Sequence, residues 1–225
     1  FAYLKATEDI FSLFNSSGDI VYTLLPSSVL KQTSWSFDNQ GLVALSEKIS
    51  KHKKLRETFG KCYYGVKTAL NEAFITDRNL GNSEYLKPVF KGKDIKKWLT
   101  PAVDKKMIVF ENKSTNAHFT RSNESKAFEV MRKAFPEIMK HLEPFAEAAK
   151  KRYYKGEYWW ELRNCAYYDL FGRPKIIFPN LQRTNKFDYD TSGTYLNAPA
   201  VFLPTDAKWL LGLLNSKVVW YFLKT

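Results

Sequence analysis

Four lysines, Lys91, Lys93, Lys96 and Lys97, stand within seven residues of one another. An ammonium on a flexible stem acts as a point charge toward phosphate oxygens, so a run at this spacing can follow a polyanion's backbone. Lys67, Thr68 and Asn71 put an ammonium, a hydroxyl and an amide on one polar turn. Such a turn can meet a backbone or a groove, although Thr and Asn also satisfy their own main chain in turns. Gln182, Arg183, Asn185 and Lys186 follow an apolar, β-branched segment. Arg fits guanine O6 and N7, and Gln or Asn fits adenine N6 and N7, so this segment is the best candidate for reading base edges. A second donor-rich segment, residues 112–123 (NKSTNAHFTRSN), carries Arg121, and Arg163 joins the same set of candidate DNA contacts.

Other chemistries find little support. The nearest approach to a metal-nuclease triad is Asp206-Ala207-Lys208, at a predicted helix start where Asp is already explained as a cap; magnesium-dependent cleavage is not expected. Glu157 and Glu161 are four apart but flank Trp159 and Trp160 with no defined partner. His52, His118 and His141 are scattered, and Cys62 and Cys165 are not clustered, so neither a metal centre nor a disulfide framework is expected. The sequence holds no G-x-x-x-x-G-K-[ST], G-x-G-x-x-G, G-x-S-x-G or H-E-x-x-H. It also lacks the [DNS]-P-P-[YFW] tetrapeptide of amino-methyltransferases. We expect a non-catalytic chain with no cofactor of its own.

Charge concentrates in two stretches. Residues 51–97 carry 12 Lys/Arg against 5 Asp/Glu, and residues 150–186 carry 9 against 3. Together they account for the whole formal net charge of +12. Such stretches attract polyanions by counterion release, unless they are only a solvated face. With 225 residues, 44% of them hydrophobic, the chain is globular and long enough to build a core unaided. No apolar run reaches membrane-spanning length and no signal peptide is evident, so a reducing cytoplasm is expected. The first methionine is Met107, which suggests a piece of a longer polypeptide.

The elements that must hold these residues follow from periodicity. Helices are predicted over residues 1–14 and 42–52, and strands over 19–25, 62–66 and 72–76, with KTALN as a turn. Asn82 or Ser83 is expected to cap a short helix reaching Val89. A buried strand is predicted at 106–110, and helices span 124–154, with Pro136 and Pro144 in first turns. Strands are expected at 158–162, 174–179 and 200–203. If 158–162 is a strand, Trp159 and Trp160 face opposite sides, and packing is expected ahead of stacking on bases. Thr205 or Asp206 should cap a helix holding Trp209 and Leu210, interrupted at Asn215-Ser216 and resumed to Leu223. Helices and strands mix without βαβα alternation, which predicts an α+β fold with mainly antiparallel sheet and a C-terminal helix.

Five segments, in order, resemble one known family. Residues 63–77 (YYGVKTALNEAFITD) resemble its G-[IV]-x-T-G-x-N-x-A-F pattern, with Ala69 where glycine is usual. Residues 85–98 (YLKPVFKGKDIKKW) resemble a K-P-x-x-[RK]-G-[KR]-D-I-x-[RK]-[WY] pattern. WWELR followed by PKIIFPNL, then FDYDTSG, then LLGLLNSKVVWYF resemble three later patterns. The family is the TaqI-like C-terminal specificity domain of type IIG restriction–modification enzymes and adenine-specific DNA methyltransferases. The resemblance implies a target-recognition domain over 56–225, with residues 1–55 leading in from an N-terminal methyltransferase domain that would bind S-adenosylmethionine. It implies double-stranded DNA as partner. An RNA-binding module, or a protein-interaction domain docking through its C-terminal helix, is the alternative that charge and aromatics alone would allow.

Overall fold

The computed structural model describes residues 40–81, 83–102, 104–119 and 123–224. The chain divides into two compact units, 1–54 and 55–225. In the first, α1 (Gln40–Ser50) follows the predicted spacing and ends with Lys48 in its last turn, where a cation suits the helix dipole. The helix predicted at 1–14 and the strand at 19–25 lie outside the described residues.

The second unit is α+β. Its strands are β1 (Tyr63–Tyr64), β2 (Ile75–Thr76), β3 (Leu86–Phe90), β4 (Lys106–Ile108), β5 (Lys175–Phe178), β6 (Asp188–Asp190), β7 (Tyr195–Leu196) and β8 (Val201–Pro204). One sheet runs β1-β8-β5-β6, antiparallel throughout; the other runs β2-β4-β3-β7, antiparallel except between β3 and β7. Chain order explains the parallel pair: β7 comes from a distant part of the sequence and adds to the free edge of the β3–β4 hairpin-like pair.

The two sheets meet at Gly65 and Val66. Gly65 N–H donates to Ala200 O and Val66 N–H to Leu196 O. A Cβ on Gly65 would lie 2.5 Å from Leu196 O, so only glycine lets the backbones approach this closely.

Period-two alternation gives the first sheet two buried faces. Ile177 and Phe202, paired across β5 and β8, belong to the main core, whereas their neighbours Ile176 and Leu203 belong to a second cluster with Leu210, Leu211 and Leu214 of α7 (Trp209–Leu214). The main core takes its helical side from α4 (Glu124–Ala134), α5 (Pro136–Leu142) and α6 (Ala146–Lys150), through Ala127, Met131, Ile138, Met139, Leu142 and Ala149. Asn123 caps α4 by accepting from Lys126 N–H, and Pro136 occupies the first turn of α5 as predicted. Further short helices are α2 (Leu55–Phe59), α3 (Asn71–Phe74) and α8 (Lys217–Lys224).

Four local expectations are corrected. Residues 71–74 form the one-turn helix α3 (Asn71–Phe74), and only Ile75 and Thr76 are strand. Ala73 and Phe74 are consecutive and both fully buried, a demand that a half-solvated strand cannot meet. The helix expected after Ser83 is instead β3. Ser83 Oγ accepts from Tyr85 N–H in a local turn, and pairing with β4 extends the chain through Pro88.

Residues 158–162 are not a strand. Glu161 N–H donates to Tyr158 O, which coils the segment and buries both Trp159 and Trp160. The buried Glu161 carboxylate accepts from the Thr115 hydroxyl and from Tyr158 N–H. A Cβ on Gly156 would stand 2.6 Å from Glu161 Cβ, which reserves that position for glycine. Neither Thr205 nor Asp206 caps α7. Thr205 Oγ1 accepts from Ala207 N–H, one turn short of the helix.

One side chain ties these pieces together. Arg152 is 5% exposed and donates to Thr68 O, Trp159 O, Glu161 O and Ala149 O at 2.6 to 3.3 Å. Its guanidinium lies 4.2 Å from the Phe74 ring centroid. Burial lowers its pKa to about 10, still far above neutrality, so the charge persists. Arg152→Ala strips the donors from the Thr68 and Trp159 carbonyls, while Glu161 O and Ala149 O keep backbone donors. We expect a loss of roughly 3–5 kcal/mol in urea unfolding, with Arg152→Lys recovering only a minor part.

Candidate nucleic-acid interface

The turn at residues 67–71 forms one wall of a groove of about 590 Å³. Lys67 is exposed at its rim, while Thr68 is 1% exposed and its hydroxyl donates to Asn71 Oδ1 at 2.6 Å. Asn71 Oδ1 also accepts from Asn197 Nδ2 at 3.0 Å. Of the three residues grouped in the sequence, Lys67 and Asn71 are exposed, and Asn71 commits its Oδ1 to bonds within the turn and to Asn197. The groove's far wall includes Tyr154, and the Arg163 guanidinium lies 5.1 Å from that ring. The fold thereby sets Arg163, nearly a hundred residues away in sequence, against a ring of the Lys67 groove without making it part of the lining.

Glu72 lines this groove and also a second one of about 250 Å³, which holds Arg78, Lys91, Lys105 and His141. Arg78 and Lys105 are far from Lys91 in the sequence, and only the fold gathers them around it. His141 donates from Nε2 to Ala73 O, 3.0 Å away, and burial lowers its pKa. It is therefore a neutral packing residue of that groove at neutral pH.

From Lys91 the chain enters the lysine loop. Its base is fixed by reciprocal bonds: Lys91 N–H donates to Asp94 Oδ2 at 2.8 Å, and Asp94 N–H to Lys91 O at 2.9 Å. Ile95 is fully buried, and Thr100 N–H donates to Asp188 Oδ2 at 2.7 Å. Anchored at both ends, the loop presents Lys93, Lys96 and Lys97 to solvent, with Lys91 half-buried.

Trp98 N–H donates to Phe187 O, so Lys97 and Lys186 precede two directly bonded residues. The lysine loop and the 182–186 segment are therefore neighbours. Within that segment Gln182 Oε1 accepts from Lys186 N–H, and the largely buried Asn185 donates to Ser216 O. Both amides shape the loop. Arg183 is exposed at its tip and Lys186 is half-buried. Arg121 lies outside the described residues. Among the described residues, no group of three or more His, Cys, Asp or Glu could hold a metal ion, and no helix is long and apolar enough to cross a membrane.

The family model of the TaqI-like C-terminal specificity domain matches residues 87–225. The chain belongs to this family. No curated protein matches it. A specificity role in a restriction–modification enzyme follows from the membership.

The structure gives this TaqI-like domain's recurring residues a physical reason. Lys175 of PKIIFP is fully buried and donates to Asp190 of FDYDTSG and to Phe171 O. Burial lowers the lysine's pKa, while the adjacent carboxylate opposes that fall. Asn215 of NSK donates to Phe187 O and accepts from Phe187 N–H, clamping α7 to the strand β6. Ala69 and Trp98 hold left-handed backbone, φ 56° and 74°. Such geometry costs of order 1–3 kcal/mol without glycine. Ala69→Gly should therefore raise stability by about 1 kcal/mol, read as a higher urea midpoint at unchanged m-value.

Proposed function

We propose that this domain is the sequence-reading module for double-stranded DNA in a type IIG restriction–modification enzyme or an adenine-specific DNA methyltransferase. Membership of the specificity-domain family carries the reading, and the contiguity of the basic groups supports it. Lys67 lines one groove, with Arg163 against its Tyr154; Arg78, Lys91 and Lys105 line the next, and Lys93, Lys96 and Lys97 continue to the 182–186 segment. These cations would neutralise phosphates and set register, while Arg183 would address a base edge in the major groove. Thr68, Asn71, Gln182 and Asn185 act by shaping the loops that bear the cations. Methyl transfer, with S-adenosylmethionine, would belong to an N-terminal catalytic domain, into which the target adenine is turned out of the helix. The module itself contributes grip and target choice.

Anisotropy titrations with a random duplex pool test the grip. Binding should weaken steeply between about 50 and 200 mM salt. Lys93→Ala, Lys96→Ala and Lys97→Ala together should weaken binding on every sequence and lower the salt slope by roughly one per lysine. Structured RNA should compete poorly. Absence of binding at low salt and high micromolar protein contradicts the reading.

Selection from a randomised duplex pool tests the reading of bases. Arg183→Ala should relax preference at one base pair by about 1–3 kcal/mol while leaving the salt slope in place. Equal losses on all sequences would move Arg183 to the phosphate contacts.

A further inference from the structure

The lysine loop exposes two large apolar side chains at its tip. Trp98 is 51% exposed and Leu99 76% exposed, between the solvated Lys97 and the buried Thr100. They are not loose. Lys96 N–H donates to Thr100 Oγ1 at 3.2 Å, Trp98 N–H to Phe187 O at 3.0 Å, and Thr100 N–H to Asp188 Oδ2. Ile95 pins the ascending side in the core. Trp98 also holds φ 74°, a conformation that bulky residues avoid. The fold therefore fixes an indole and an isobutyl group outward, on a strained and rigid tip, against both solvation and backbone preference. Lys97 Nζ sits 5.5 Å from the indole centroid, so the apolar tip and the cations form one surface.

That combination selects its partner. A surface with cations around two apolar side chains fits a polyanion whose interior is apolar and opens in narrow steps. Duplex DNA has that form: phosphates outside and stacked base faces inside. A bilayer would need a broader apolar face than two side chains to hold the loop. The adjoining 182–186 segment, with Arg183 at its tip, faces the same partner.

We propose that Trp98 and Leu99 form a wedge that enters the base stack of bound duplex DNA, while Lys93, Lys96 and Lys97 hold the flanking phosphates. Apolar side chains inserted at a base step unstack it and kink the duplex. The inference rests on the duplex-binding reading above and assigns a role to residues which that reading leaves idle.

The test compares two duplexes of the same length and flanking sequence, one fully paired and one with a central tandem mismatch. The mismatch removes part of the unstacking penalty in advance, so the full chain should bind it roughly tenfold tighter. The double variant Trp98→Ala, Leu99→Ala should lose that preference while binding paired duplex with an unchanged salt slope. Trp98→Phe, which keeps an apolar ring, should retain most of the preference. The triple lysine variant should show the reverse: a lower slope with the preference intact. Thermal melts establish that each variant is folded. Equal binding of the two duplexes by the wild-type chain overturns the wedge but leaves duplex binding standing, as does a double variant that keeps the preference. Binding of neither duplex removes both readings. Capture by phosphatidylserine vesicles that depends on Trp98 and Leu99, with no change in DNA preference, would assign the tip to a membrane and overturn the wedge.

Discussion

The Arg152 guanidinium is the interaction on which most of the second unit depends. It is a buried cation whose counter-groups are carbonyl oxygens from four separate positions. Carbonyl dipoles can hold such a charge only if they converge, and convergence fixes the segments that carry them. One is the Thr68 turn that forms the first groove; another is the coil that buries Trp159 and Trp160. The third is the end of α6, where Ala149 lies. A guanidinium supplies this set because its donors are planar, numerous and permanently charged.

A similar economy governs the rest of the scaffold. Lys175 with Asp190, Asn215 with Phe187, Asp94 with Lys91 and Asn71 with Asn197 are ties between segments far apart in the chain or across a turn. Each satisfies a buried or half-buried polar group that would otherwise be costly. Motif residues therefore hold the frame, and the outward-facing side chains sit on loops between them. That division leaves the outward-facing side chains free of the bonds that hold the frame. It also accounts for the two strained non-glycine positions at the interface, Ala69 and Trp98: the surrounding ties over-determine their backbone.

Positive charge reaches the candidate interface from three separate stretches, near residues 67–78, 91–105 and 163–186. Their cations line adjoining grooves and loops, linked through Glu72, Lys91 and the Trp98–Phe187 bond. Repulsion among them in the free domain is tolerable because most are solvated, and a polyanionic partner would relieve it.

The sequence by itself determined the α+β class, the helices after residue 123 with Pro136 at a first turn, the central strands at 175–178 and 201–204, and the paired helices at the end. All of these arise from short-range causes: apolar periodicity, caps and proline geometry. The ordered motifs also determined the family. The sequence misread residues 72–74, 83–89 and 158–162, where long-range partners overrode local preference: full burial of Ala73 and Phe74, pairing of β3 with β4, and the Glu161 and Arg152 bonds that coil the tryptophan segment. The hydrogen bonds that Thr68, Asn71, Gln182 and Asn185 make within the protein are not legible, because side-chain chemistry is visible in a sequence whereas its partners are not. Arg78, Lys105 and the outward Trp98 became meaningful only when tertiary contacts set them beside Lys91 and Lys97. Charge can be counted along a chain, but whether charges share a surface is decided by packing alone.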